Sequence, residues 1–373
     1  MQQIDMTVNR LPAPTWNRLK MNESKLADVV ISGSCEPKVA LQGSVCLNKS
    51  TGGSVVGKNC CSCANSSNCS VHGFNFGAVA TGMGQDMEKL MQPQALRLVA
   101  DAQAKSTASV TLRYNDGENF YNKVEIEAKE GADITVIMTY ISTAVAAGTA
   151  AVQTKVIAAK GAKVKLVQVQ LLGQDFLHLN DVGSELAEDA AFDVLQLQLG
   201  GSRIYNGVRS ALKGDHADFN SAIGYYGRQG QRIDMNFVAD HFGKKTTCDM
   251  TADGVLKDGA FKIYRGTIDF KNGSSGAVGS EHETVLMLTD DVVNQTIPLI
   301  LCSEEDVQGT HGASIGKLDE DLLFYLCSRG FNEQEAVDMM AKAKIESLCR
   351  KIDDEDTVQL VERYLEGVIA DAE

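Results

Sequence analysis

The chain has 373 residues, 35 basic against 49 acidic, a formal net charge of −14 at pH 7 and 44% hydrophobic residues. That balance argues against nucleic acid or an anionic membrane as the main partner, because phosphate surfaces are met by basic ones. The start, Met1-Gln2-Gln3-Ile4-Asp5, has no basic segment followed by an apolar one, and no apolar run approaches the ~20 residues that span a bilayer, so a cytoplasmic protein is expected. Its ten cysteines are then expected to be mostly reduced, serving as core residues, metal ligands or redox groups and not as a disulfide frame. The length suits two or three units, or one body if the fold is a solenoid or barrel.

Residues 1–104 read as an irregular N-terminal region. They hold a start centred on Trp16, a Cys/Ser/Asn/Gly-rich stretch from Gly33 to Asn75, and a helix expected within Gln85 to Gln103. Cys60, Cys61, Cys63, Cys69 and His72 form a dense set of soft ligands that suits zinc, a cluster or no metal at all, since the paired C-x₂-C arms of a standard knuckle are missing. Gly52 to Asn59 satisfies G-x-x-x-x-G-K but places Asn59 where a hydroxyl should reach magnesium, and Cys46-Leu47-Asn48-Lys49 makes a poor strand before it. No nucleotide is expected to bind there.

Residues 105–311 carry the punctuation of a β-solenoid. Lys123 to Ala128 leads to Gly131-Ala132, and Thr154 to Ala158 leads to Gly161-Ala162, two Gly-Ala pairs 30 residues apart. A third copy follows at Asp189-Ala190, with weaker ones around Ala217 and at Gly259-Ala260. Alternation in Val194-Leu195-Gln196-Leu197-Gln198-Leu199 turns one face inward, and small residues at corners permit tight turns. A mainly β protein on a parallel β-helix is the expected outcome; an antiparallel sandwich is the competing use of short alternating strands.

Residues 312–373 read as a helical domain at the end of the solenoid. Ile297 to Cys302 is an apolar strand, the loop Thr310 to Gly316 carries His311, and Asp319-Glu320-Asp321 opens a helix over Leu322 to Leu326 that Gly330 stops. Asn332 with Glu335 starts a second helix by a capping box, carrying Ala336, Val337, Met340, Ala343 and Leu348, and a third carries Val358, Val361, Leu365 and Ile369. Such amphipathic helices either cap the terminal apolar turn of a solenoid or bind a partner.

This order of apolar strand, His-Gly-Ala, Leu-Asp-Glu, Phe-Tyr-Leu and Ser-Arg-Gly resembles the C-terminal core of the SufB/SufD family, the scaffold proteins of cytosolic iron–sulfur cluster assembly. Leu11 to Trp16 looks like the lead-in of short SufD-like members. The resemblance implies a right-handed parallel β-helix core and a non-enzymatic scaffold that carries a transient iron–sulfur cluster. It implies a SufC-like ABC ATPase docked on the C-terminal helices through Leu322, Leu323, Phe324, Tyr325 and Arg329. It also implies a second SufB/SufD-type subunit, a copy or a relative, which the ATP cycle moves. The cluster would sit near the end of the β-helix, at His311 and at the strand position where SufB-type proteins carry cysteine, here Glu283 beside His282. That departure makes the chain SufD-like and suits a labile, incompletely coordinated site.

Cys302, at the end of a strand, and Cys248, within the solenoid, are further thiol candidates, although small buried cysteines more commonly pack cores. Read without the family, His311 is a loop histidine bonded to a carbonyl, and Glu283 with His282 an exposed strand edge. Two other functions stay open: a cluster-free adaptor of the same complex, and a carbohydrate-active β-helix enzyme, which would need acids clustered along a groove.

Overall fold

In the computed structural model, which describes residues 2–49, 86, 87, 89, 91, 93–317 and 320–370, β1 (Gln2–Val8) and β2 (Ser24–Ile31) form an antiparallel pair. The other strands join two sheets. One runs β3 (Lys38–Gly43), β6 (Lys105–Arg113), β8 (Asp133–Ile141), β10 (Lys163–Leu171), β12 (Ala191–Gln198), β14 (Asp218–Gly227), β16 (Thr247–Leu256), β18 (Ala277–Met287), β20 (Val307–Lys317). The other runs β4 (Val45–Lys49), β5 (Leu96–Ala100), β7 (Glu118–Ala128), β9 (Ala147–Ala158), β11 (Asp175–Leu186), β13 (Arg203–Leu212), β15 (Arg232–His241), β17 (Phe261–Phe270), β19 (Val293–Cys302). From β5 and β6 onward neighbours are parallel, so the chain crosses from sheet to sheet and climbs a parallel β-solenoid of about eight turns.

The corner explains why the repeat is strong in some turns and faint in others. Gly131 and Gly161 take φ of 65° and 66°, but Asp189, His216 and Lys245 adopt the same left-handed conformation at 56°, 59° and 53°. What recurs is the small residue that follows, since Ala132, Ala162, Ala190 and Ala217 are all fully buried under the next turn. Each corner amide donates to a carbonyl of that turn: Gly131 to Lys160 at 2.9 Å, Gly161 to Glu188 at 2.9 Å, Asp189 to Asp215 at 3.0 Å. Steric room for Ala and a stacked hydrogen bond define the corner, and glycine only removes its backbone strain.

Between corners, alternation sends every second side chain into the interior, where Phe192 stacks on Phe219 with centroids 5.8 Å apart. The outer faces are covered separately. β1 and β2 lay Met6, Val8, Leu26 and Ile31 on Tyr121, Leu177 and Tyr205 of the odd-numbered sheet. Three helices follow the last strand: α1 (Glu320–Ser328), α2 (Glu333–Cys349) and α3 (Glu355–Ala370). Ala341, Ile345 and Leu348 of α2 with Val361 and Leu365 of α3 pack on Val167, Val169, Leu195 and Leu197, on the outside of the even-numbered sheet. A buried ion pair, Lys257 to Asp338 at 2.9 Å, pins α2 there. No described helix is long and apolar enough to cross a membrane.

Three local expectations change. The segment before residue 105 contributes β1 to β5, including a strand at Val45–Lys49 where the polar sequence suggested none. Antiparallel pairing with β5 supplies that strand's order, which overrides weak propensity. Within the span expected to hold a helix, Asp86, Met87 and Lys89 are helical, but Leu96–Ala100 is a strand, because it forms the first parallel rung of the odd-numbered sheet beside Val124 to Ala128. Finally, α2 and α3 lie along the flank, so the turn made by β19 and β20 has no element over it among the described residues, and inward positions such as Ile315 are exposed.

Candidate functional site

The uncovered turn and the one beneath it carry His311, Cys302, Glu283 and His282. β18 alternates Ala277, Gly279, Glu281, Glu283 and Val285 inward, all buried, with Val278, Ser280, His282 and Thr284 outward. β20 pairs with it in parallel register: Glu281 with His311, His282 with Gly312, Glu283 with Ala313. His311 therefore stands in a strand and not in a loop. The glycines around it, which suggested a loop, instead allow close contact: a Cβ at Gly309 would lie 3.1 Å from the Phe270 ring, and one at Gly312 would lie 3.2 Å from His282 Nδ1. The same register separates the two histidines. His311 shares the inward face with Glu281, whereas His282 is exposed on the outer face.

Glu283 is not at an exposed strand edge; it is 2% exposed. Its carboxylate takes an ion pair from the Lys262 ammonium and accepts from the Thr296 hydroxyl at 2.5 Å. Lys262 is held further by Asn294 Oδ1 at 2.9 Å, Thr296 Oγ1 at 3.1 Å and the Gln295 carbonyl at 3.2 Å. Burial lowers the Lys262 ammonium to about 8, against the opposing pull of Glu283 and Glu281. An anion so fully engaged is a poor candidate for binding anything else.

Glu281, which the sequence reading passed over, is the freer group. It too is 2% exposed, and its Oε2 has no hydrogen-bond partner among the described residues. Burial first, then the neighbouring Glu283, push its carboxyl up to about 8, with Lys262 opposing. At neutral pH it keeps its proton. Space for it comes from Gly266 across the interior, where a Cβ would fall 2.3 Å from the carboxyl carbon. The Tyr264 hydroxyl, held protonated by burial and by Glu281, is likewise unpartnered among the described residues.

The thiols divide. Cys302 ends β19, exposed, its Sγ 2.9 Å from the Glu304 carbonyl. Cys248 is buried with its Sγ 3.2 Å from His241 Nε2, and burial pushes the thiol up to about 12 and the imidazole down to about 4. This is a neutral, inert pair and not an activated thiolate. Phe270 sits between His241 and Cys302 in the ladder and packs on the imidazole with centroids 4.9 Å apart. Among the described residues no three His, Cys, Asp or Glu converge as a metal site, so His311, Glu283, His282, Cys302 and Cys248 do not form one ligand set. Cys60, Cys61, Cys63, Cys69 and His72 lie outside the described residues.

On α1, no residue is fully buried: Phe324 is 76% and Tyr325 50% exposed, Leu322 is exposed and Leu323 half-buried. The Arg329 guanidinium lies 5.1 Å from the Tyr325 ring centroid. The expected capping box is present at Asn332 and Glu335.

Comparison with known proteins accords with this architecture. Residues 111–344 match the family model described as "SUF system FeS cluster assembly, SufBD core domain". The chain is 28% identical over 220 residues to the iron–sulfur cluster assembly protein SufD of Bacillus subtilis, covering 58% of this chain and 50% of that protein. It is 25% identical over 218 residues to a SufBD family iron–sulfur cluster assembly protein of Staphylococcus saprophyticus, covering 58% and 47%. A Mycobacterium leprae SufBD family protein matches at 27% over 161 residues, 42% of this chain and 18% of that one. The chain thus spans about half the length, or less, of these relatives. With the family model covering the solenoid from β6 into α2, the chain belongs to the SufBD family.

Proposed function

We propose that this protein is a cytoplasmic scaffold subunit of SUF iron–sulfur cluster assembly, with no enzymatic turnover of its own. The observation that carries the reading is the Glu281–His311 pair at a solenoid turn left uncovered. Covering the exposed apolar positions there is favourable, at ~25 cal/mol per Å² of apolar surface, and suits a second SufB/SufD-type subunit. A nascent cluster is the cargo. The His311 imidazole and the Glu281 carboxylate supply two donors, the second subunit and sulfide the rest, and such mixed, incomplete ligation favours release. Binding would displace the Glu281 proton, while Lys262 and Thr296 keep Glu283 fixed beneath. The exposed aromatic face of α1 suits a SufC-like ATPase.

Co-expression with a SufC-like ATPase and a SufB-like subunit, followed by purification without oxygen, tests this. The ATPase should co-purify, and the complex should show charge-transfer absorbance that His311→Ala diminishes. Absence of the ATPase would contradict the partner assignment. An ATPase complex whose absorbance ignores His311→Ala would favour the cluster-free adaptor.

A further inference from the structure

A separate concavity lies between the segment joining β1 to β2 and the outer face of the odd-numbered sheet. It encloses about 1050 Å³ and is lined by Arg10, Lys20, Lys25 and Arg232, with Glu23 the one carboxylate among the described lining residues. In a chain of net charge −14 this concentration of cations runs against the overall composition. A concave wall of one sign focuses potential on its contents.

The cations are poorly neutralised. Arg10 meets Glu23 at 2.9 Å, but its side chain is 68% exposed, so the pair is screened. Lys20, in a left-handed turn at φ 53°, and Lys25 are exposed and have no carboxylate partner among the described residues. The Arg232 guanidinium lies 4.1 Å from the Phe261 ring centroid, with Asp234 3.4 Å away. Asp234 is itself committed to Arg265 at 2.5 Å and Asn9 at 2.7 Å. Register sets Arg203 beside Arg232, adding a further exposed cation next to the rim.

The walls are also pre-formed. Arg265 Nε donates to the Met21 carbonyl at 2.7 Å, the Leu11 amide to the Asn22 carbonyl at 2.8 Å, and Asn22 Nδ2 to Asn17 Oδ1 at 2.6 Å. A concavity fastened this way loses little entropy on binding. Tyr205, almost fully buried, forms part of its floor.

From this geometry we infer that the concavity binds a phosphate-bearing small molecule through its phosphates. Guanidinium forks and mobile ammonium groups are the side chains suited to such oxyanions. Four of them exceed what a single monoanion needs.

The test is calorimetric titration of the full chain with inorganic pyrophosphate at matched ionic strength, beside Lys20→Gln/Lys25→Gln. Both lysines are exposed, so folding is spared, and an unchanged melting midpoint confirms it. Saturable one-to-one binding, weakened about tenfold or more in the double variant as the loss of two charge-assisted contacts predicts, supports the site. Arg10→Gln, a third exposed position, should weaken binding independently. Absence of saturable binding, or affinity unchanged in both variants, overturns it. Adenosine diphosphate as a second probe separates the sources: tighter binding than pyrophosphate identifies an organic phosphate, equal binding a free oxyanion.

Discussion

Glu281→Gln isolates the buried carboxyl without changing its shape. In the folded protein the Glu281 carboxyl is pushed from its ordinary 4.5 up to about 8. The folded state therefore keeps a proton that the unfolded chain releases above about pH 4.5. For a group raised in this way, stability is fully present below the unfolded value and is lost as pH rises toward the folded one. The loss amounts to ~1.4 kcal/mol per pH unit inside that window. Between pH 5 and 7 the wild type should lose about 2.5 kcal/mol relative to Glu281→Gln, which has no proton to release. Guanidinium unfolding midpoints of both proteins at pH 5, 6 and 7, with equal slopes, measure it. Lys262 and Glu283 are the same in both, so their contributions cancel. A stability difference that stays constant from pH 5 to 7 would show that Glu281 is ionised in the folded state, and the reasoning would fail.

Lys262→Met leaves the buried Glu283 carboxylate without its cation and should destabilise by ~3–5 kcal/mol at pH 7, as read by the same unfolding curves. Gly266→Ala should cost roughly 1–3 kcal/mol by the same curves, because a Cβ 2.3 Å from the Glu281 carboxyl forces a shift in a packed interior. Phe324→Ala with Tyr325→Ala, on an exposed face of α1, should shift the melting midpoint little but abolish co-purification of a SufC-like ATPase.

The solenoid was legible because its cause is local: alternation in Val194 to Leu199 and small residues after each corner are both written in the chain. Ala190 and Ala217 marked corners as faithfully as Ala132 and Ala162, although their partners Asp189 and His216 are not glycine. The strands before residue 105 were hidden because their order comes from neighbours distant in sequence; Val45–Lys49 is a strand through its pairing with Leu96–Ala100. His311 was read as a loop residue but lies in a strand, since Gly309 and Gly312 signal loops unless close packing against Phe270 and His282 is known. Glu281 was missed, yet a signal existed. Two carboxylates two residues apart occupy the apolar face of a strand flanked by Ala277, Gly279 and Val285. Which of the two is neutralised depends on Lys262, a cross-sheet contact that no local pattern encodes.

On this proposal the working site lies at the uncovered turn around His311 and not among the N-terminal cysteines. Complementation in a cell that depends on SUF assembly tests it most directly, comparing His311→Ala with the triple variant Cys60→Ser, Cys61→Ser, Cys63→Ser. The expected result is loss of growth with His311→Ala, its ATPase binding and melting midpoint intact, and growth close to wild type with the cysteine variant. Growth restored by His311→Ala but not by the cysteine variant would contradict the account and move the chemistry to the N-terminal segment.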